Sequence, residues 1–595
     1  MGLETTTTIA GLVDTNPLDA DMISSGDDHL RLIKAVLKAT FPGVGGVGYS
    51  VPITVFEAQL NKLAPVVDNI AALKAQPKLG QLVVATLGYW SIRDGGHGTY
   101  WLDSADTTSV DNGVTIIVAT DGGRWKLVHD GIVMASQTGA KNDGVTAAQA
   151  NIEAAYTAGI KHVILDSGTY LITDTLNITG VRQKLTTDGG AKILKGFDTG
   201  PTIILSGDYC EISGIEVDCN SSVNTTEYQG IAVRGEYNIL QNNIVHDTSN
   251  HAIGISGNVS PFKGNNNIVR HNTVYNSTHI GIAQHTAPKN LIEGNNIYDC
   301  SGEGISIDNT SYYCRAVNNW ITNCGSAGAG GIGVDQTLQT NISGNFIDMQ
   351  AIAKPGITFN GTAGESNNCT VTGNTIIGTD IGIHLKKINP WVSGSGQFVS
   401  KYNSICNNTF KGCATAIKIG YNCISNILKG NTFESCTLLF DVDDSVTDTR
   451  MDSGLINVFA RNTVVRTDVT GDGTIYTVPF DELTVGSAGN FDTATGIFTA
   501  TIPGIYTFTA NLRLIGGSVH DDALISLNFS NATTFVRGGV YATDQANIIA
   551  HVGGISRYMK VGDTAKVLIR VDGGTKVVDV EGEGQYCYFI ATYIG

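Results

Sequence analysis

The stretch Asn345-Phe346-Ile347 is one of eight copies of a phrase that recurs between residues 242 and 436 and decides the fold. Each copy is an Asn, any residue, and then a large apolar residue, and the copies are 30, 23, 23, 27, 29, 34 and 23 residues apart. A period in the twenties with variable insertions is typical of a solenoid, in which each repeat buries its apolar side only against its neighbours. The copies begin at Asn242, Asn272, Asn295, Asn318, Asn345, Asn374, Asn408 and Asn431.

A second phrase, such as Gly304-Ile305-Ser306-Ile307-Asp308, lies between the Asn phrases and alternates apolar with polar residues. Alternation over about five residues predicts a strand with one buried face. Short strands in every repeat, with Gly-, Asn- and Ser-rich corners and without a helical stripe, predict a parallel β-helix. A leucine-rich repeat is the alternative, but it needs a Leu-dominated pattern that these repeats lack. We expect the equivalent Asn side chains to stack as a ladder that satisfies turn backbone.

Charge and hydropathy restrict the partners of the protein. The formal net charge is −17 at pH 7 over 595 residues, which argues against nucleic acid because phosphate recognition needs a basic face. No stretch approaches the ~18 uninterrupted apolar residues of a membrane span. The first residues do not have the pattern of a signal peptide, so we expect the protein to fold in the cytosol of the cell that makes it.

The chain has eleven Cys, ten of them from Cys210 to Cys436. Cys packs as a small hydrophobe in the interior, so we expect buried free thiols rather than disulfides. No CxxC pair suggests a metal site, and we expect neither a metal nor a cofactor. Four of these Cys follow the Asn of their repeat by five or six residues and should stack, namely Cys300, Cys324, Cys413 and Cys436.

The flanks of the repeat predict additional domains. We assign residues 1–76 to a helical adaptor with helices near 27–38 and 54–63, and residues 77–131 to a small β domain. The β-helix takes residues 132–455, and a helix over 147–158 would cover its first rung, whose strands would otherwise be exposed. A C-terminal jelly-roll takes residues 456–595. Residues 441–473 are acidic and we interpret them as an irregular transition.

Several of these segments resemble phage proteins. Residues 12–43, which contain Gly26-Asp27-Asp28-His29-Leu30-Arg31, look like the virion-attachment segment of bacteriophage tail fibres and tailspikes. Residues 94–101 and 123–126 resemble the small β domain that precedes the β-helix in tailspikes, with His97 where Gly is commoner.

Two more resemblances concern the β-helix and the C-terminal region. Residues 139–146 resemble the entry to the pectate-lyase-like β-helix superfamily, which implies the fold but not the chemistry, since lyases, hydrolases and epimerases share it. Residues 491–500 and 503–508 look like the trimeric jelly-roll head of complement and tumour-necrosis-factor type. That likeness implies a homotrimer, and a monomeric β-sandwich is the alternative.

The outward positions of the alternating phrases are where chemistry is expected. Side chains after the Gly point in, out, in and out along the strand. Successive rungs lie ~4.8 Å apart, so outward residues form columns, and Asp308 and Asp335 end the phrases of adjacent rungs in one column. A carboxylate pair is what glycoside hydrolysis needs, one to protonate the leaving oxygen and the other to act as nucleophile or to activate water.

Four residues are the catalytic candidates. Asp308 and Asp335 would lie near the ~5 Å separation of retaining glycosidases, whereas pairing with Glu303 could reach the ~6.5–9.5 Å of inverting ones. The proximity of like charges would raise one pKa, which suits an acid. His285 ends the phrase of the preceding rung, although Gln284 at an inward position indicates that the register there could be slipped. An Asp before Asn or Gln is also a common turn former, which is the alternative.

Six residues are the candidates for substrate binding. Cations and amides in the outward columns can contact a sugar chain, and aromatic faces on loops stack on sugar rings. Packing of the aromatic residues over a neighbouring rung is the alternative. The six are Lys386, His384 and Asn360 in the columns, and Tyr312, Tyr313 and Trp391 on the loops.

The whole series of segments resembles a phage tailspike with polysaccharide depolymerase activity. The resemblance implies a capsular polysaccharide or O-antigen as substrate, attachment to the phage tail or baseplate through the N-terminus, a homotrimer, and a location in the virion tail. The carboxylate pair favours hydrolysis. A lyase acting on a uronate polymer is one alternative, with His285, His384 or Lys386 as base or charge neutraliser. A non-catalytic receptor-binding fibre and a purely structural trimer are the others.

Overall fold

The computed structural model describes most of the chain. The described residues are 23–40, 65–78, 82–257, 263–327, 330–350, 352–360, 365–386, 400–420, 423–442, 449–451, 457–486, 489–516, 520, 522–532, 536–537, 539–542 and 547–594. The predicted helix at 54–63 and the candidate Trp391 lie outside these residues. The described part is mainly β.

The centre of the molecule is a parallel β-helix, in which each rung passes through three sheets in turn. All pairings within the three sheets are parallel, and each strand pairs with its counterparts on the neighbouring rungs. We call the sheets I, II and III. Sheet I has the strands Leu176–Ile178, Ile203–Leu205, Ile231–Val233, Ile253–Ser256, Ile282–His285, Ile305–Asp308, Ile332–Asp335, Ile357–Asn360, Ile381–Leu385, Thr415–Ile419 and Leu438–Val442.

Sheets II and III complete the rungs. Sheet II has the strands Ile132–Met134, His162–Leu165, Lys184–Thr187, Glu211–Ser213, Ile239–Gln241, Ile268–Arg270, Leu291–Glu293, Arg315–Val317, Asn341–Ser343, Thr370–Thr372, Ser404–Cys406, Ile427–Lys429 and Arg450–Met451. Sheet III has the strands Asp143–Ala147, Gly168–Ile172, Ala191–Lys195, Glu216–Asp218, Ile244–Thr248, Thr273–Ser277, Asn296–Tyr298, Trp320–Thr322, Phe346–Asp348, Thr375–Ile377, Thr409–Lys411 and Thr432–Glu434.

The apolar phrases of the sequence form the interior of this solenoid. Most three-residue strands of sheets II and III bury only their central residue, as period-two alternation predicts. In sheet I the residues Ile305, Ile332 and Ile357 stack on one another and are fully buried. The core is therefore a set of apolar stacks that run along the axis, one residue per rung.

A ladder of buried Asn side chains fixes each rung to the next. The backbone N–H of Asn319 donates to Oδ1 of Asn345 at 2.9 Å, and its Nδ2 donates to the same oxygen at 3.0 Å. Asn295 donates in the same two ways to Oδ1 of Asn319. The ladder consists of Asn243, Asn272, Asn295, Asn319, Asn345, Asn374, Asn408 and Asn431.

Two members of the ladder differ from the sequence-based assignment. At Asn242-Asn243 and Asn318-Asn319 the second Asn enters the ladder, so the predicted starts at Asn242 and Asn318 are wrong by one residue. The first Asn of each pair has a left-handed backbone, with φ of 56° and 55°. Asn and Gly tolerate that conformation better than other residues, so both members of each pair have a structural reason to be Asn.

The N-terminal region contains helices and one small sheet. The described helices are Ile23–Thr40, Ile70–Lys74 and Gln149–Thr157, with a 3-10 turn at Ala135–Thr138, and none of them is long and apolar enough to cross a membrane. The sheet takes in Val66–Val67, ahead of the predicted domain start at residue 77. Its five strands are Val66–Val67, Val83–Thr86, Gly98–Leu102, Ile116–Val118 and Arg124–Leu127.

The C-terminal region forms two further sheets. The strands of the first are Asn457–Arg461, Arg466–Thr470, Glu482–Val485, Gly504–Ile515, Gly539–Ala542, Asn547–Met559, Val578–Val580 and Tyr588–Tyr593. Those of the second are Ile475–Thr477, Phe491–Asp492, Ile497–Thr499, Asp522–Phe529, Val536–Arg537 and Thr564–Asp572. The interpretation of residues 441–473 as an irregular transition is wrong, because two strands of the first sheet lie within them.

The cysteines are all free thiols, as expected. Nine are buried, and Cys406 and Cys436 are partly exposed. Thiols at equivalent positions of neighbouring rungs add to the apolar stacks of the interior.

Replacing Asn319 by Ala should destabilise the β-helix. The change leaves the buried N–H of Asn295 without its acceptor, which typically costs about 1–3 kcal/mol. A lower melting temperature in circular dichroism is the expected result. Asn318→Gly is the matched control, because Gly occupies the same left-handed position at Gly344 and Gly373. Equal melting temperatures for Asn319→Ala and Asn318→Gly would contradict a stabilising role for the ladder.

Candidate functional site

Two outward columns of sheet I contain the residues that the sequence singles out. Pairing of the strands places His285 opposite Asp308, and Asp335 opposite Asn360. Lys386 continues this strand-end column, since its backbone N–H donates to Phe359 O at 3.0 Å and its Nζ to Asn360 Oδ1 at 3.1 Å. The other outward column contains Ala232, Gly254, Ala283, Ser306, Gly333, Thr358 and His384.

The register of the His285 rung is not slipped. Gln284 is fully buried and lies opposite Ile307, with its Nε2 2.6 Å from Cys314 Sγ. The concern raised by a polar residue at an inward position is therefore wrong. His285 points outward, with 40% of its side chain exposed, and reaches Asp308 on the next rung.

Asp308 is a carboxylate of the column that is held at both of its oxygens. Its Oδ1 lies 2.8 Å from Nδ1 of His285, and its Oδ2 accepts a hydrogen bond from Ser306 Oγ at 3.4 Å. Burial raises the pKa of the Asp308 carboxyl, and the charge of Asp335 raises that pKa further. His285 and Ser306 act against this rise by stabilising the carboxylate. The net result is a carboxyl that keeps its proton to higher pH than an ordinary Asp.

A third carboxylate, Glu303, lies near this pair because Gly333 has no side chain and leaves space for it. A Cβ at Gly333 would lie 3.1 Å from Cγ and 3.3 Å from Oε1 of Glu303, so the Glu303 side chain lies over this residue. Glu303 itself belongs to the preceding rung, just ahead of the strand Ile305–Asp308. Glu303, Asp308 and Asp335 therefore meet on one face within adjacent rungs.

The other end of the column is cationic and partly buried. Burial lowers the pKa of Lys386, and Lys354 lowers it further, while Glu303 acts in the opposite direction. Burial also lowers the pKa of His384 to about 4, with contributions from Lys386 and Lys418. His384 is therefore neutral at neutral pH.

The predicted aromatic residues lie at the corner that follows the Asp308 strand. Tyr313 is 53% exposed and has a left-handed backbone with φ of 60°, and Tyr312 beside it is half-buried. The corner places both residues near the end of the strand that contains Asp308. An exposed ring at this position can contact a ligand that lies on sheet I.

The same corner contains tyrosines that the sequence reasoning missed. Tyr209, Tyr237 and Tyr402 share the exposed left-handed position of Tyr313. The rings of Tyr209 and Tyr237 are stacked with centroids 4.8 Å apart. Corner residues are not constrained by the core, so only the rung-to-rung spacing could have identified them.

The opposite edge of sheet I contains a second missed set. The rings of His251 and His279 are 4.9 Å apart, with their Nδ1 atoms at 3.2 Å. Burial, together with the charges of His279 and His285, lowers the pKa of His251 to about 4. Gln229 lies over Gly254 as Glu303 lies over Gly333, since a Cβ there would be 2.9 Å from Gln229 Cγ.

The two edges and the small residues between them define a shallow groove. Its floor includes Ala232, Ala283 and Ser306, which face outward and yet are only 5–7% exposed. Side chains from one edge reach over the floor at two points, Gln229 at Gly254 and Glu303 at Gly333. A floor of small residues that crosses several rungs can hold an extended chain along the axis of the solenoid. We use "the groove" for this face, from Gln229 to Lys386.

A separate cluster on sheet III has the residue types of a metal site. One ligand atom from each of Asp218, His246 and Asp247 lies within 4.8 Å of the others. These groups already have protein partners, since Nδ1 of His246 is 2.8 Å from Asp247 Oδ2 and Lys192 Nζ is 2.6 Å from Asp218 Oδ2. The cluster is an internally paired network on a different sheet from the groove.

Three family models match successive parts of the chain. The phage tail protein small four-stranded β-sheet domain matches residues 66–130, the right-handed β-helix region matches residues 203–376, and the C1q domain matches residues 462–563. The predicted resemblances to a phage tail β domain, a right-handed β-helix and a complement-type C-terminal domain are thereby confirmed.

Several solved structures are similar to the chain. Tailspike protein gp49 from Acinetobacter baumannii bacteriophage Fri1, a capsular polysaccharide depolymerase, is 12% identical with a TM-score of 0.49, covering 89% of this chain and 100% of that chain. The enzymatically active domain of bacteriophage CBA120 tailspike protein 2 is 10% identical with a TM-score of 0.46, covering 91% and 95%. The A-module of Azotobacter vinelandii mannuronan C-5 epimerase AlgE6 is 13% identical with a TM-score of 0.40, covering 54% and 99%.

The raised pKa of Asp308 predicts a pH-dependent cost in stability. The folded protein holds this proton above the pKa of about 3.9 of an unfolded Asp, so stability is lost as the pH rises from that value through the folded pKa. Asp308→Asn cannot ionise and avoids this loss. We therefore expect the difference in melting temperature, Asp308→Asn minus parent protein, to be more positive at pH 7 than at pH 3.5.

Asp143→Asn is the control with the opposite sign. Hydrogen bonds from Thr146 and Val145 lower the pKa of Asp143 to about 2, so its stabilising effect is present above the unfolded pKa and is lost as the pH falls. Asp143→Asn should therefore be more destabilising at pH 7 than at pH 3.5. The same pH trend in both variants would contradict the raised pKa of Asp308.

Proposed function

We propose that the protein is a phage tailspike whose groove binds a bacterial surface polysaccharide and cleaves it by hydrolysis of a glycosidic bond. The observation that carries the proposal is the partly buried, hydrogen-bonded carboxyl of Asp308 with its raised pKa, adjacent to the second carboxylate of Asp335. Two carboxyl groups whose environments separate their pKa values are the usual equipment of a glycosidase.

The roles follow from the two environments. Asp308 acts as the general acid that protonates the leaving oxygen, since it retains its proton to higher pH. His285 positions the Asp308 carboxyl through the 2.8 Å contact at Nδ1. Asp335 acts as nucleophile if the enzyme is retaining, and Glu303, which lies over Gly333, is placed to activate water if it is inverting.

The shape of the groove supports a polymeric substrate. Its floor of small residues crosses the rungs of sheet I, and exposed aromatic residues such as Tyr313 lie at the adjacent corner. Asn360, His384 and Lys386 extend it beyond the carboxylates with hydrogen-bonding and charged groups. A chain of sugars laid along the axis would lie over this floor and contact the side chains at its edges.

The flanking domains support the location. A phage tail β domain precedes the β-helix and a C1q domain follows it. We propose that the N-terminal residues attach the protein to the phage tail and that the C-terminal domain holds three copies together. The protein would then act at the bacterial surface as part of the virion.

A lyase is the second candidate. The lowered pKa of Lys386 favours it, because a larger fraction of this amine is then unprotonated near neutral pH and able to accept a proton. His384 is a weaker candidate for that role, because a pKa of about 4 makes it a poor proton acceptor. Lys386 is two rungs from Asp335, so elimination would take place at a different point of the groove from hydrolysis.

Replacing either Asp308 or Asp335 by Asn should abolish depolymerisation. Loss of a general acid or base typically costs about 10²–10⁴-fold in rate. The measurement is the release of reducing ends, with size-exclusion chromatography of the polymer, on capsular polysaccharides and O-antigens purified from a panel of bacterial strains.

Asp348→Asn is the matched control for these variants. Asp348 also ends a strand and is partly exposed, but it lies on sheet III, so the rate should be unchanged. Full activity of both Asp308→Asn and Asp335→Asn would remove this site. Tight binding by the parent protein without any shortening of the polymer would favour a non-catalytic receptor-binding fibre.

The products distinguish hydrolysis from elimination. Hydrolysis in ¹⁸O-labelled water should place one labelled oxygen in each new reducing end and give no unsaturated sugar. Mass spectrometry of the shortest products and ultraviolet absorbance of the digest measure the two outcomes. An absorbing, unsaturated sugar without added label would select the lyase and exclude the hydrolase.

A further inference from the structure

We propose that the Lys386 end of the groove is a binding subsite for a negatively charged group of the polysaccharide repeat unit. The group is a carboxylate or a phosphate on a sugar next to those joined by the cleaved bond. This inference rests on the proposed function, and it adds that the natural substrate is an acidic polymer.

The partners of Lys386 are the first observation. Its Nζ donates to the neutral Asn360 Oδ1 at 3.1 Å, and among the described residues no carboxylate lies within ion-pair distance of it. Its side chain is half-buried, and Lys354 adds a second positive charge to its surroundings. The charge of Glu303 offsets part of this by raising the pKa of Lys386, but a partly buried cation that is not directly paired with a carboxylate is stabilised further by an anion supplied from outside.

Other lysines of the β-helix show the contrast. Lys418, one rung further along sheet I, is paired with Asp441. Four more lysines on the sheets and corners have carboxylate partners within 3.0 Å, namely Lys184 with Glu211, Lys192 with Asp218, Lys401 with Glu365 and Lys411 with Glu434. The solenoid therefore compensates several of its lysines with carboxylates, whereas Lys386 has an amide partner and the buried Lys195 has the rings of Phe197 and Tyr228.

His384 provides the second observation. Its Nδ1 is buried and has no hydrogen-bond partner in the described part of the chain. Burial, Lys386 and Lys418 lower the pKa of His384 to about 4, so the imidazole is neutral at neutral pH. A neutral imidazole beside the ammonium group of Lys386 can donate to an anionic oxygen or accept from a sugar hydroxyl.

The position of the subsite separates binding from bond cleavage. Asn360 lies between Asp335 and Lys386 in the column, so two strand spacings, roughly 10 Å, separate the cation from Asp335. An anion held by Lys386 is therefore on a neighbouring sugar and remains bound in both the ground state and the transition state. Loss of such uniform binding raises KM and leaves kcat nearly unchanged.

The test compares Lys386→Gln, Lys386→Arg and Lys418→Gln on a polysaccharide that the parent protein cleaves. Loss of one charge-assisted contact should raise KM about tenfold or more in Lys386→Gln. Lys386→Arg should retain most of the affinity because the charge is kept. Lys418→Gln is the matched control and should behave as the parent protein, since the charge of Lys418 is already compensated by Asp441.

Chemical modification of the substrate identifies the anion. Reducing the polymer's carboxyl groups to alcohols should remove the difference between the parent protein and Lys386→Gln if the group is a carboxylate. Removing phosphate with hydrofluoric acid should remove that difference if it is a phosphate. The difference should also shrink as salt is raised, because exposed charges are screened. An equal KM for Lys386→Gln and the parent protein, or cleavage of a wholly neutral polymer as the best substrate, would overturn the subsite.

Binding is measured as well, so that the subsite and the proposed function can fail separately. The Asp308→Asn protein and its double variant with Lys386→Gln are titrated with the same panel of polysaccharides. Weaker binding by the double variant to an acidic polymer supports the subsite even if the parent protein cleaves nothing. Equal binding by the two proteins overturns the subsite even if hydrolysis is established.

Discussion

The hydrogen bonds of the Asn ladder are the constraint on which the rest of the structure depends. Each ladder side chain accepts from the backbone of the preceding rung, and its Nδ2 donates to the next side chain and to a buried carbonyl oxygen such as Ile292 O. Because these groups are buried, a rung that shifted in register against its neighbours would leave several polar atoms without hydrogen-bond partners. Successive ladder Asn residues are 23 to 34 residues apart in the sequence, yet the strands between them keep one register. Insertions are therefore confined to the corners.

A fixed register turns residues that are distant in sequence into neighbours. His285, Asp308 and Asp335 are separated by more than twenty residues each, and strand pairing alone brings them into one column. The column is built on strands whose opposite face is packed in the core, so its geometry is held by the apolar stacks. Sites on such rigid elements are more precisely placed than sites on loops. On the outer face the strand-end column is partly exposed and can vary in chemistry while the fold is retained, whereas the neighbouring column is restricted to small residues where Gln229 and Glu303 lie over Gly254 and Gly333.

Period-two alternation was sufficient to predict which side chains of sheet I face outward, and the recurring Asn was sufficient to predict the solenoid. The recurring Asn did not predict which residue of Asn318-Asn319 enters the ladder, because the left-handed corner and the ladder both favour Asn. The acidic composition of residues 441–473 was a poor guide to their structure, since it does not prevent short strands from pairing. The approach of Glu303 to Gly333 could not be predicted, because it depends on a side-chain conformation across two rungs rather than on a period.

The order of charges along the groove reconciles two demands that conflict at close range. A general acid needs a raised pKa, which Asp308 obtains from burial and from the charge of Asp335. A cation next to Asp308 would stabilise the carboxylate and lower that pKa. The neutral Asn360 lies between Asp335 and Lys386, and it occupies the Nζ of Lys386 with an amide oxygen instead of a carboxylate. The spacing keeps the cation available for an anionic ligand and holds it at least two rungs from either aspartate.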